Sequence, residues 1–196
     1  VAGRGRRCGL FDMQGGLATL PDSRDDYPLV DPVMMTYHHS WKPPESAVRN
    51  IADARSIAVP EASLFDELGW AQRQEAVRRR VDGRVALIAD CSSATMAFLV
   101  TMRGMETAMF DLLEQPDLVH AVMQKGVEIA VAKGKYWLDQ GYHVLRLNDS
   151  VGNMSVMSPA HWREFVFPHM RDACAELHRH DPSARIYCHI CGNVLP

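Results

Sequence analysis

Tyr142-His143-Val144-Leu145-Arg146-Leu147-Asn148, followed by the polar turn Asp149-Ser150-Val151-Gly152-Asn153, lies between two long helical stretches, and that placement decides the fold. The run is short and mainly apolar, as a buried strand requires, and it stops at a cluster of turn formers. Upstream, Pro116 opens a long helix that reaches about residue 140, with Asp117 in its first turn and Gly141 at its end. Downstream, Ser158 caps another helix with Pro159 in its first position. That helix continues, bent at Pro168, to about His180, where Asp181-Pro182 breaks it.

The pattern repeats outward. Residues 84–90 form a continuous apolar run, the signature of a strand covered on both faces. Residues 94–113 read as one or two short helices broken near Gly104, and Leu64, Phe65, Leu68, Ala71, Ala76 and Val77 give residues 61–81 a helical stripe. At the far end, Arg185-Ile186-Tyr187-Cys188-His189-Ile190-Cys191-Gly192-Asn193 reads as a short buried strand and its exit turn. The order is β, α, β, α, β, with crossovers too long for hairpins, so the strands are parallel. An open doubly wound sheet and part of a (β/α)8 barrel both satisfy this order. No glycine-rich phosphate loop follows any strand, which removes support from a dinucleotide-binding sheet.

At 196 residues and 47% hydrophobic composition, the chain can bury one substantial core. A net charge of −3 argues against nucleic acid as a partner, and Arg4 to Arg7 read as a solvated tail. The cysteines, at 8, 91, 174, 188 and 191, are odd in number and irregular in spacing, as fits reduced thiols in a cytoplasm. No apolar run has the length of a membrane span, so no membrane role is expected. Residues 1–60 read as an irregular N-terminal segment of the same domain as 61–196. Tyr37, His38, His39 and Trp41 cluster there, but adjacent histidines face different ways and suit a polar loop better than a shared metal. The chain begins at Val1 without a methionine and ends at Pro196 just after the last strand, so it reads as a fragment of a longer protein.

In parallel α/β folds, sites form at the C-terminal ends of strands. Those ends are Asp90-Cys91-Ser92, Asn148-Asp149-Ser150 and His189-Ile190-Cys191. Residues two apart on a strand share a face, so His189 and Cys191 point the same way, and an imidazole nitrogen with a thiolate suits zinc. The same pair also occurs as plain packing around a satisfied histidine, and Asp149 also fits a simple cap or turn. Cys188 faces away from His189 and reads as a small core residue.

These motifs together resemble the uroporphyrinogen decarboxylase superfamily. The resemblance rests on Leu147-Asn148-Asp149-Ser150-Val151-Gly152, on Met157-Ser158-Pro159 with Trp162-Arg163-Glu164-Phe165-Val166 and Pro168, on His189-x-Cys191-Gly192-Asn193, and on the run from Glu106 to Leu118. It is closest to the cobalamin-dependent methyltransferase branch, and it covers roughly residues 85–196. It implies an α/β fold of parallel (β/α)8 TIM-barrel type, with only a portion of the barrel present. It implies zinc held by His189, Cys191 and a later cysteine beyond Pro196, which activates a thiol to accept methyl from a corrinoid carried by a partner protein. Asp149 would then be a polar, catalytic contact, with Asn148, Ser150 and Asn193 near the cofactor. The His-x-Cys pair favours this branch over decarboxylation of a tetrapyrrole such as a porphyrinogen, which needs no metal. A non-catalytic barrel remnant that binds a corrinoid protein or tetrapyrrole is the third reading.

Overall fold

The computed structural model describes residues 48–194, apart from Leu68 and His143. The clusters at Arg4–Arg7 and at Tyr37, His38, His39 and Trp41 lie outside the described residues. Helices α1 (Ile51–Ser56), α2 (Ala62–Glu67) and α3 (Trp70–Val81) lead into β1 (Ile88–Ser93). Then come α4 (Met96–Arg103), α5 (Met105–Glu114), α6 (Pro116–Asp139) and β2 (Val144–Asn148). A helical turn, α7 (Pro159–His161), a π turn (Trp162–Val166), α8 (Phe167–His180) and β3 (Arg185–His189) complete the order. The three strands form a parallel sheet in the order β1-β2-β3.

One face of that sheet makes the core. Ala89, Cys91, Leu145 and Leu147 alternate onto it and are buried. Helix α6 packs on them, and it can approach closely because position 134 is glycine. A Cβ there would stand 2.5 Å from Leu177 Cδ2 of α8 and 3.3 Å from both Cys91 Sγ and Leu145 Cδ1. Gly126 allows the same close approach farther along α6, since its Cβ would meet the Ala94 carbonyl at 2.3 Å. Helix α1 lies in the stretch that reads as irregular, and it packs on α6 with Ala54 buried. Arg103 helps hold it there. Its Nε and Nη2 reach the Asp111 carboxylate at 2.5 and 2.9 Å while Nη1 donates to the Val48 carbonyl at 2.6 Å.

Several local expectations need correction. Strand β1 begins at Ile88, not at residue 84, because β2 begins at Val144 and Val144 pairs with Ile88. The helical stripe of residues 61–81 is two helices, since Gly69 takes a left-handed φ of +73° between them. Among the described residues the strands are covered on one face only: Ile88 and Tyr187 are 56% and 48% exposed on the side away from α6. Strand β3 pairs only with β2 among the described residues and is largely exposed, and Cys188 is exposed too. The bend foreseen at Pro168 is a π turn. A proline there has no N–H for the carbonyl four residues back, so the chain widens and Phe167 N–H bonds Trp162 O.

Candidate functional site

The open face of the sheet carries the polar side chains. Register places Asp90, Arg146 and Tyr187 in one row across the strands, and Ser93, Asn148 and His189 in the next row toward their C-terminal ends. In the first row, Arg146 Nε lies 3.1 Å from Asp90 Oδ2, with both side chains partly exposed. On the covered side of β1, Lys133 of α6 is fully buried with its ammonium over the Trp70 ring. Burial lowers that ammonium to about 8, while the Asp90 carboxylate favours its charged form.

At the end of β3 the two soft donors meet. His189 Nε2 and Cys191 Sγ are 3.3 Å apart, and the other ring nitrogen, Nδ1, is 3.2 Å from the Tyr187 hydroxyl. Gly192 then takes φ +92°, which turns the chain back over the sheet end, where its Cα faces the Asn153 amide. Zinc bonds of about 2.0–2.1 Å to nitrogen and about 2.3 Å to sulfur, opened to a tetrahedral angle, would separate the two atoms by about 3.6 Å. The observed spacing is close to that, so the donor pair fits zinc in both type and geometry. No group of three or more His, Cys, Asp or Glu side chains able to hold a metal occurs among the described residues.

The neighbouring strand end has a different character. Asn148 faces the same side as His189, and its Oδ1 is buried with no hydrogen-bond partner among the described residues. A buried acceptor without a donor is costly, and a ligand or water that donates to it would be held there. Asp149 points the other way. It is fully buried, and its carboxylate accepts from the Thr95 hydroxyl, from Met96 N–H at 3.2 Å and from Ala97 N–H at 2.6 Å. It therefore caps α4 from across the fold, where the α4 N-cap residue, Thr95, makes no cap of its own. Burial pushes this carboxyl up to about 6, against three donors that pull it down. The ligand contact expected of Asp149 does not match these surroundings, because both oxygens already serve the helix.

The loop after β2 is built onto the loop after β3. Met154 N–H donates to the Asn193 carbonyl at 2.7 Å, Asn153 Nδ2 donates to the Ser150 carbonyl at 3.2 Å, and Trp162 Nε1 donates to the Gly152 carbonyl at 3.0 Å. Ser150 and Asn193 thus sit on one rim, with Asn193 exposed and Ser150 half-buried. The structure brings Asn148, His189 and Cys191 to one face, sets Ser150 and Asn193 at its edge, and turns Asp149 away. Arg146, Tyr187 and Thr95 were not singled out by the sequence. Counting back by two from Asn148 and His189 finds the first two, whereas nothing in the spacing marks Thr95.

Residues 36–196 match the uroporphyrinogen decarboxylase (URO-D) family. The chain belongs to that family. Among URO-D relatives, it is 30% identical over 119 residues to the methylated-thiol–coenzyme M methyltransferase of Methanosarcina mazei, covering 60% of this chain and 30% of that protein. Its fold also matches a methyltransferase from Methanosarcina mazei with a TM-score of 0.60 at 18% identity, covering 78% of this chain and 42% of the other. The chain therefore spans less than half the length of the relatives it matches. Both are methyltransferases, in agreement with the branch of the superfamily that its motifs resemble, and the fold is α/β with a parallel sheet of the partial-barrel kind. No helix among the described residues is long and apolar enough to cross a membrane.

Proposed function

We propose that this chain belongs to a methyltransferase in which His189 and Cys191 hold zinc, and which passes a methyl group from a corrinoid, carried by a partner protein, to a small thiol. The observation that carries the reading is the 3.3 Å approach of His189 Nε2 to Cys191 Sγ on the open face of the sheet, in a member of a family whose matched relatives transfer methyl groups. Bound zinc supplies a Lewis acid that keeps an acceptor thiol as its nucleophilic thiolate near neutral pH. The chain's own groups do the rest. Cys191 presents sulfur and His189 presents nitrogen, leaving the remaining positions for a further cysteine and the acceptor. Asn148 Oδ1, buried and without a partner among the described residues, accepts a hydrogen bond from the bound substrate or corrinoid, and Ser150 and Asn193 line the rim through which the corrinoid approaches. Asp149 is a positioning residue that fixes the start of α4 against the end of β2.

Arg146 on the open face favours a second reading, decarboxylation of a tetrapyrrole whose carboxylates it would pair with; that chemistry leaves the His-Cys pair without a role. The test uses the intact zinc-loaded protein with methylcobalamin and a small thiol, and follows the cobalamin spectrum and thioether formation. Methyl transfer that is lost in His189→Ala and in Cys191→Ala supports the proposal. Turnover of uroporphyrinogen with no methyl transfer supports the second reading, and neither activity would leave a binding protein.

A further inference from the structure

The two nitrogens of His189 have different neighbours. Nε2 faces Cys191 Sγ at 3.3 Å, and Nδ1 faces the Tyr187 hydroxyl at 3.2 Å, with the two rings edge-on and their centroids 6.1 Å apart. Strand alternation puts Tyr187 and His189 on one side of β3, and Cys191, two residues past the end of the strand, meets the same imidazole. We infer that Tyr187 is a positioning residue for the metal-ligating imidazole, holding His189 in the one ring orientation and tautomer that aim an Nε2 lone pair at the point Cys191 also faces. The inference rests on the zinc reading given above.

An imidazole can flip. Rotating the imidazole by half a turn exchanges Nε2 with a carbon, and the donor is lost. The Tyr187 hydroxyl on the Nδ1 edge separates the two orientations before any metal is bound, adding to the Nε2 contact with Cys191. A phenol does so in both states of the site. It donates to Nδ1 when Nε2 carries the proton, and it accepts from Nδ1–H when the Nε2 lone pair is given to a metal. Such outer partners commonly contribute about 10–100-fold to metal affinity. Tyr187 is 48% exposed, so its ring is not a core element and replacing it with phenylalanine removes little but the hydroxyl.

Tyr187→Phe in the intact protein tests this. Zinc affinity is measured by competition with a chromogenic chelator, cobalt(II) is used as a spectroscopic probe, and the melting temperature is taken on the metal-free protein. The expected result is at least about tenfold weaker zinc binding, shifted cobalt d–d bands with the thiolate charge-transfer band retained, and unchanged metal-free melting. Wild-type affinity and bands in Tyr187→Phe, with binding lost in His189→Ala, would overturn the role of Tyr187 and leave the zinc reading standing. A fall in metal-free melting that accounts for the affinity loss would make Tyr187 structural and also overturn it. No zinc binding by the wild-type protein would overturn both.

Discussion

Asp149 Oδ1 accepts the Ala97 N–H at 2.6 Å across 52 residues of sequence, joining the end of β2 to the start of α4. Because Ala97 N–H reaches one oxygen and Met96 N–H with the Thr95 hydroxyl the other, Asp149→Asn must turn an NH2 group toward a backbone N–H, whereas even the protonated carboxyl keeps an acceptor lone pair on each oxygen. Leaving a buried donor unpaired costs about 1–3 kcal/mol. Urea unfolding of Asp149→Asn at pH 5 should show a loss of that size. An unchanged midpoint together with a large fall in turnover would instead make Asp149 a ligand contact.

The same carboxyl makes stability depend on pH in a definite direction. Its folded value, about 6, lies above the ordinary 3.8, so between these values the folded state holds a proton that the unfolded chain has released. Its contribution is fully present below about pH 4 and is lost as pH rises through about 6. The stability advantage of wild type over Asp149→Asn should therefore be largest near pH 4 and shrink by an amount on the order of 2–3 kcal/mol by pH 7. A difference that stays flat or grows over this range would show that the three donors outweigh burial.

Gly134 sets the distance between α6 and the sheet. Alanine would gain up to about 1 kcal/mol of helix propensity, but its methyl would press on Leu177 Cδ2 in a packed core, where overfilling costs about 1–3 kcal/mol. Gly134→Ala should be destabilising by about 1 kcal/mol, and adding Leu177→Ala should make the methyl less costly than it is alone. Additive losses in that double-mutant cycle would mean that the helix moves as a whole instead of pushing on Leu177.

The long helix Pro116–Asp139 was legible because its signals are local: a proline and an acidic residue at the start, a glycine just past the end. The start of β1 was not, since Val85 and Leu87 are as apolar as the residues that pair, and only the length of β2 decides where the ladder begins. Reading 142–148 as an apolar run hid Arg146, whose place two residues before Asn148 puts it on the open face. The shared face of His189 and Cys191 follows from their spacing and is found in the structure, whereas the burial of β3 depends on a neighbouring strand that no local pattern supplies. The partnership of Asp149 with Thr95 spans 54 residues and is a product of the tertiary fold alone.

X-ray absorption at the zinc edge of the intact, zinc-loaded protein reads the atoms bound to the metal and so shows whether His189 and Cys191 hold it. Near-stoichiometric zinc is expected, with sulfur at about 2.3 Å and nitrogen at about 2.0–2.1 Å. The nitrogen shell should be lost in His189→Ala, one sulfur should be lost in Cys191→Ala, and Cys188→Ser should leave the spectrum unchanged. Protein that takes up no zinc, or a metal shell indifferent to His189 and Cys191 but altered by Cys188→Ser, would contradict the zinc reading.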